Sequence, residues 1–140
     1  FDGMIGTAPG AKGSPAKRQF EYLYKDANNG NMPTDPFIAE TFDATILLGL
    51  AAVAAQNGTL CDTIKSCLPI IAGDDGDADP NIEPSDIKRA VSLLNKGDDI
   101  NYEGAAGSQE IDANGDVNNT IEVWEIKDGK ITSTGQFLSP

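Results

Sequence analysis

Three oxygen-bearing side chains stand at alternate positions in residues 111–120: Asp112, Asn114 and Asp116. Oxygen ligands at positions 1, 3 and 5 open a calcium loop of the EF-hand kind, which also needs Gly at position 6 and a bidentate Glu at position 12. Counted from Asp112, those two places hold Val117 and Val123. The loop lacks both its sharp turn and its closing ligand. Asn114-Gly115 reads instead as a hairpin turn, because a type I′ turn requires positive φ at both central residues. GSQEID before it and TIEVWEI after it supply the expected strands. A second alternation, Asp75, Asp77 and Asp79, has Pro80 at position 6 and reads as a solvated surface loop.

Other chemistry is limited by what the chain contains. It has no His, which excludes a Ser–His–Asp triad, a Cys–His pair and His metal ligands within these 140 residues. Its two cysteines, Cys61 and Cys67, lie in CDTIKSC, without the CxxC spacing of redox or zinc sites. On one regular helix their Cα atoms would stand about 9 Å apart. A disulfide needs less than about 7 Å. Either a bridge forms at a helix end or distortion, or the two thiols are separate. No cofactor is expected.

Twenty-two acidic residues against ten basic ones leave a net charge of −12. Nucleic acid and anionic membrane surfaces carry the same sign, so neither is an expected partner. The apolar run ATILLGLAAVAA has twelve residues, short of the roughly 20 that a membrane span needs. No signal peptide is evident. The abrupt start at FDGMIGT, without an initiator Met, points to a processed or cut product. The Asn57 and Asn118 glycosylation triplets read as chance matches.

The elements that would position any site follow from pattern. FDGMIGTAP reads as a short apolar strand. Ser14-Pro15 opens an amphipathic helix over AKRQFEYLYKDA, with Phe20, Leu23 and Tyr24 at helical spacing. PFIAETFDATILLGLAAVAAQNG predicts the most buried helix, with Phe37, Phe42, Ile46, Leu47, Leu50, Val53 and Ala54 on its apolar face and Gly58 as its stop. In TLCDTIKSCLPIIAG, Thr59 and Asp62 resemble a capping box. PSDIKRAVSLLNKG predicts a further helix, capped by Ser85 and ended at Gly97. DDINYEGAAGS reads as loop or short strand, and Asp128-Gly129 as a second turn. Trp124 is expected in a packed position, with Glu122 and Glu125 in water. One strand, four helices and a strand-rich tail leave the strands short of partners. The expectation is an incomplete piece of a larger α/β protein.

The ordered stretches FDGMIGTAP, FEYLYKD, PFIAETFDATILLGLAAVA, INYEGAAGSQEIDANGDV and IEVWEIKDGKI carry a resemblance. The chain resembles the last part of the type I periplasmic binding proteins of ABC importers, the branched-chain amino acid binding family. The resemblance implies a two-lobed α/β fold, each lobe a central, mostly parallel sheet flanked by helices, with a ligand in the interlobe cleft. Residues 1–9 would form a crossover strand and hinge, 10–106 the helical part of the first lobe, and 107–140 a hairpin returning to the second. It implies a periplasmic or extracytoplasmic binding component, not an enzyme. Its partners would be an amino acid, amide, urea or aromatic acid, a membrane permease, and the upstream part of the same protein.

By the same resemblance, Phe37 occupies the place of an aromatic residue that lines the cleft ahead of the long helix; its other reading is a core aromatic. Thr7, Ala8 and Pro9 fall at the crossover near the cleft mouth, where hinge and turn roles compete with ligand contact. Asp43, following Phe42, reads as a group that positions the helix. A reading of a different class remains beside this one: a small acidic secreted domain binding calcium for structural purposes through its aspartate clusters.

Overall fold

The computed structural model describes residues 1–10, 13–34, 37–73, 79–112, 114–117 and 120–138. The fold is mixed α/β, with two small sheets and four helices among these residues. Strand β1 (Ile5–Pro9) is followed by helices α1 (Pro15–Ala27), α2 (Ile38–Asn57) and α3 (Ile64–Ile71). Then come β2 (Asn81–Ile82), α4 (Ile87–Leu94), β3 (Asn101–Gly104), β4 (Gly107–Ser108), β5 (Ile121–Lys127) and β6 (Lys130–Leu138). One sheet has the order β2-β3-β4, with β2 parallel to β3 and β4 folded back on it. The other has the order β1-β5-β6, antiparallel throughout. Strand β2 falls in a stretch that the sequence presents only as acidic loop.

Local chemistry sets the helix ends. Ser14 accepts the Lys17 N–H at 3.0 Å, and Pro15 takes the first helical position, as expected. Gly58 closes α2 in the left-handed conformation (φ 73°). The capping box of α3 is Thr63 with Ser66, not Thr59 with Asp62. That later start leaves Cys61 outside the helix and Cys67 inside it. The Cα atoms then lie 5.2 Å apart and the disulfide forms. Ser85 does not cap α4. Its N–H and Oγ both donate to Gln19 Oε1, at 3.0 and 2.7 Å, tying the start of α4 to α1.

The main core lies between α2, α3, α4 and the sheet β2-β3-β4. Ile82, Ile100, Tyr102, Ile71 and Leu94 are fully buried there. Helix α2 contributes Leu47, Leu50, Ala51 and Ala54, one stripe at helical spacing. Its opposite side is exposed, Leu48 to 53 %, although α2 still holds five buried residues against two in each of α1, α3 and α4. At 20 residues and a mean hydropathy of 1.6 it is long and apolar enough to cross a membrane, beyond the twelve-residue run counted from sequence. Within the fold 28 % of that apolar stretch is buried, through its inner stripe and Asp43.

The turns also differ from expectation. Asp128 (φ 52°) and Gly129 (φ 69°) both take positive φ and join β5 to β6, so the type I′ geometry sits here. At Asn114-Gly115 only the glycine does (φ 89°). There the Asp112 carbonyl accepts the Gly115 N–H at 2.9 Å, and pairing is a single Ile111–Val117 bridge. Strand β5 pairs with β1 and β6 and not with the segment before that turn.

Candidate functional site

A cleft of about 300 Å³ opens where the end of β1 meets the first turns of α1 and α2. Pro9 and Gly10 form one side. Phe20 and Glu21 of α1 face Phe37 and Glu40 at the head of α2, and Ala105 and Ala106, in the β3–β4 turn, form another wall. Glu122 of β5 completes the lining. Lys17, one turn before Glu21, also borders it.

Phe37 is the N-cap of α2 and sits in the left-handed region (φ 65°). A bulky residue adopts that conformation only when its surroundings impose it. Here the Phe37 carbonyl accepts both the Thr41 N–H, at 2.9 Å, and the Thr41 Oγ1 hydroxyl, at 2.7 Å. The residue is 55 % exposed. Beneath it Phe20 is buried, its ring centroid 5.1 Å from Phe42 and 5.8 Å from Tyr24. These aromatics floor an adjoining apolar groove, of which Phe37 is also a wall. Phe37 is therefore a surface aromatic between two concavities, not a core one.

The back wall is fixed by Asp43, which is fully buried. Its Oδ1 accepts the Tyr102 hydroxyl and the Ala105 N–H, both at 2.9 Å. Its Oδ2 accepts the Ala106 N–H at 2.7 Å and Gln109 Nε2 at 3.4 Å. One carboxylate thus clamps α2 to the β3–β4 turn whose alanines face the cleft. Burial pushes the Asp43 carboxyl above the usual range, and the donors from Ala106, Ala105 and Tyr102 pull against it without cancelling it. Burial, helped by the Asp43 charge, raises the Tyr102 hydroxyl strongly. Gly104 makes the clamp possible, since a Cβ there would fall 2.5 Å from Asp43 Oδ2.

Of the residues proposed from sequence, Pro9 and Phe37 both line the cleft. Thr7 and Ala8 lie further back on β1, paired with Val123 and Glu122, outside the lining. Glu122 was read as a solvent-facing partner of a packed Trp124. It borders the cleft because its pairing with Ala8 brings it beside Gly10, over which its side chain lies. No local pattern announces that position; only the β1–β5 register does. Asp112 organises its own loop: its Oδ1 accepts the Asn114 and Asp116 N–H groups, at 2.8 and 2.9 Å. These bonds, Asp116 first, hold its carboxyl below the usual range. The geometry is a side-chain-stabilised turn. Residues 74–78, with most of the other aspartate cluster, lie outside the described residues.

No curated protein and no solved structure matches the chain. A mixed α/β fold, with a lined cleft at the end of its first strand, is compatible with part of a type I periplasmic-binding-protein architecture. Residues 1–129 match the family model described as the receptor family ligand binding region, and the chain belongs to that family of ligand-binding domains.

Proposed function

We propose that this chain serves in the extracytoplasmic solute-binding component of an ABC importer, capturing an amino acid or similar small polar molecule between two lobes. The observation that carries the reading is that Pro9 and Phe37 line one cleft, with Phe37 held exposed in a costly conformation. On this reading residues 1–9 are crossover and hinge, 10–106 belong to the first lobe, and 107–140 return to the second. The pairing of β1 with β5 supports it, since two strands side by side at a lobe boundary form a natural hinge. The Cys61–Cys67 disulfide fits an oxidising, extracytoplasmic compartment. Ligand capture would shift the lobes toward a closed state, and the closed state would dock on a membrane permease.

The test is thermal unfolding of the intact protein with a panel of amino acids, amides, urea and aromatic acids. A ligand at 100 times its Kd adds about 2.7 kcal/mol of stability. Stabilisation that disappears in Phe37→Ala supports the cleft; a flat panel in the folded wild type removes the proposal.

A further inference from the structure

The cleft has a sign. Among the described residues three carboxylates line it, Glu21 from α1, Glu40 from α2 and Glu122 from β5, with one ammonium, that of Lys17. Three negative charges and one positive leave two negative. The N-terminus of α2 also faces the cleft and contributes about half a positive charge. That is too little to reverse the balance, and Glu40 in the same first turn offsets it. None of the three glutamate side chains has a hydrogen bond or ion pair among the described residues. As lining residues they make the potential in the cleft negative.

The cavity supplies a second, different kind of recognition. Phe37 is an aromatic lining residue, 55 % exposed. An aromatic face is negative at its centre and attracts a cation within about 6 Å. Pro9 and Phe20 add apolar surface for a short carbon stem. A carboxylate placed here would meet three like charges, whereas an ammonium meets opposite charge and a ring.

We propose that this cleft selects ligands that present a cationic amine to it, with the ammonium held by Glu40 and Glu122 against Phe37. This rests on the cleft-binding reading above and narrows its ligand class. Net ligand charge separates the two statements experimentally.

The experiment is a ligand-observed NMR titration of the full-length protein with three probes of one carbon length: butylammonium, butyramide and butyrate. Butylammonium should bind at least about tenfold more tightly than butyramide, a factor equal to 1.4 kcal/mol. Raising the salt should weaken butylammonium binding and leave butyramide unchanged. Glu122→Gln and Phe37→Leu should each reduce the preference for butylammonium over butyramide. Asp98→Asn removes the same unit of charge outside the cleft and should leave the preference intact. Tighter binding of butyrate or butyramide would retain the cleft and overturn the cation assignment. An equal loss in Asp98→Asn would overturn it too, by reducing it to attraction by the net charge. Binding of none of the three, while a panel member still stabilises the protein, leaves the cleft and overturns the class. Binding of nothing in either experiment overturns both.

Discussion

Ile82 on β2, Tyr102 on β3 and Ile100 just before β3 are fully buried, whereas Ile5 on β1 and Ile131 on β6 are 70 % and 72 % exposed. Residue type does not explain it: β2, β3 and β4 hold only Ile82 and Tyr102 as β-branched or aromatic residues, whereas such residues are frequent in β1, β5 and β6. What differs is the cover. Helices α2, α3 and α4 pack on the first sheet, while β1, β5 and β6 chiefly contact one another. Strand propensity and an apolar pattern decide that a segment can pair. They do not decide that it is buried. Burial needs a second layer, and only one sheet receives it from the described helices.

Four variants and one titration test that contrast, from the largest effect to the smallest. Asp43→Ala should cost the most, about 3 kcal/mol in chemical denaturation, because it leaves the Tyr102 hydroxyl and two buried N–H groups without an acceptor. A loss under 1 kcal/mol would mean that water enters and the clamp is not closed. Gly104→Ala should cost about 1–3 kcal/mol, since its Cβ would fall 2.5 Å from Asp43 Oδ2 and 2.7 Å from Gln109 Nε2. Replacing both Cys61 and Cys67 by Ala should cost about 2 kcal/mol, the cross-link closing only a short loop. In the uncovered sheet, Ile131→Thr should change stability by no more than about 0.5 kcal/mol. A cost comparable to the Gly104 variant would show that β6 is covered in solution.

The titration sets the two aspartates against each other. Carboxyl-carbon NMR should place Asp43 above the ordinary aspartate value of 3.8 and Asp112 below it. Asp43 is raised in the folded state. Its contribution is therefore fully present below 3.8 and is lost as pH rises through its folded pKa. Asp112 is depressed, so its contribution is present above 3.8 and lost as pH falls through its folded pKa. The same order for both residues would show that the buried clamp is wetter than its packing indicates.

Much of the helical layer was legible from residues in the chain. Ser14-Pro15, Gly58 and the periodicity of α2 name those helix ends and the inward stripe, because caps and period are local chemistry. The α3 cap was misplaced by four residues because Thr59 and Thr63 each have a hydroxyl and a polar residue three places on. Only the observed start of the helix separates them, and the state of the cysteines follows from it. The site was half legible. Phe37 and Pro9 came from resemblance. Glu122 and the Ala105–Ala106 wall depend on register and on a clamp between residues about 60 positions apart, which no local pattern encodes. Asn114-Gly115 misled because a strong turn dipeptide fits more than one turn geometry, and the surrounding Asp112 bonds selected the other.

The pairing of β1 with β5 has a kinetic consequence. Ile5 meets Glu125, and Gly129 donates its N–H to the Asp2 carboxylate, so these contacts close a loop of nearly the whole chain. Helices α2, α3 and α4 pack on near neighbours in sequence, at small loop entropy. Strand β1 is therefore among the last of these elements to find its place, since it must await a partner made more than a hundred residues later. Its end carries Pro9, so loosening β1 opens the cleft from one side while the clamped alanine wall stays in place.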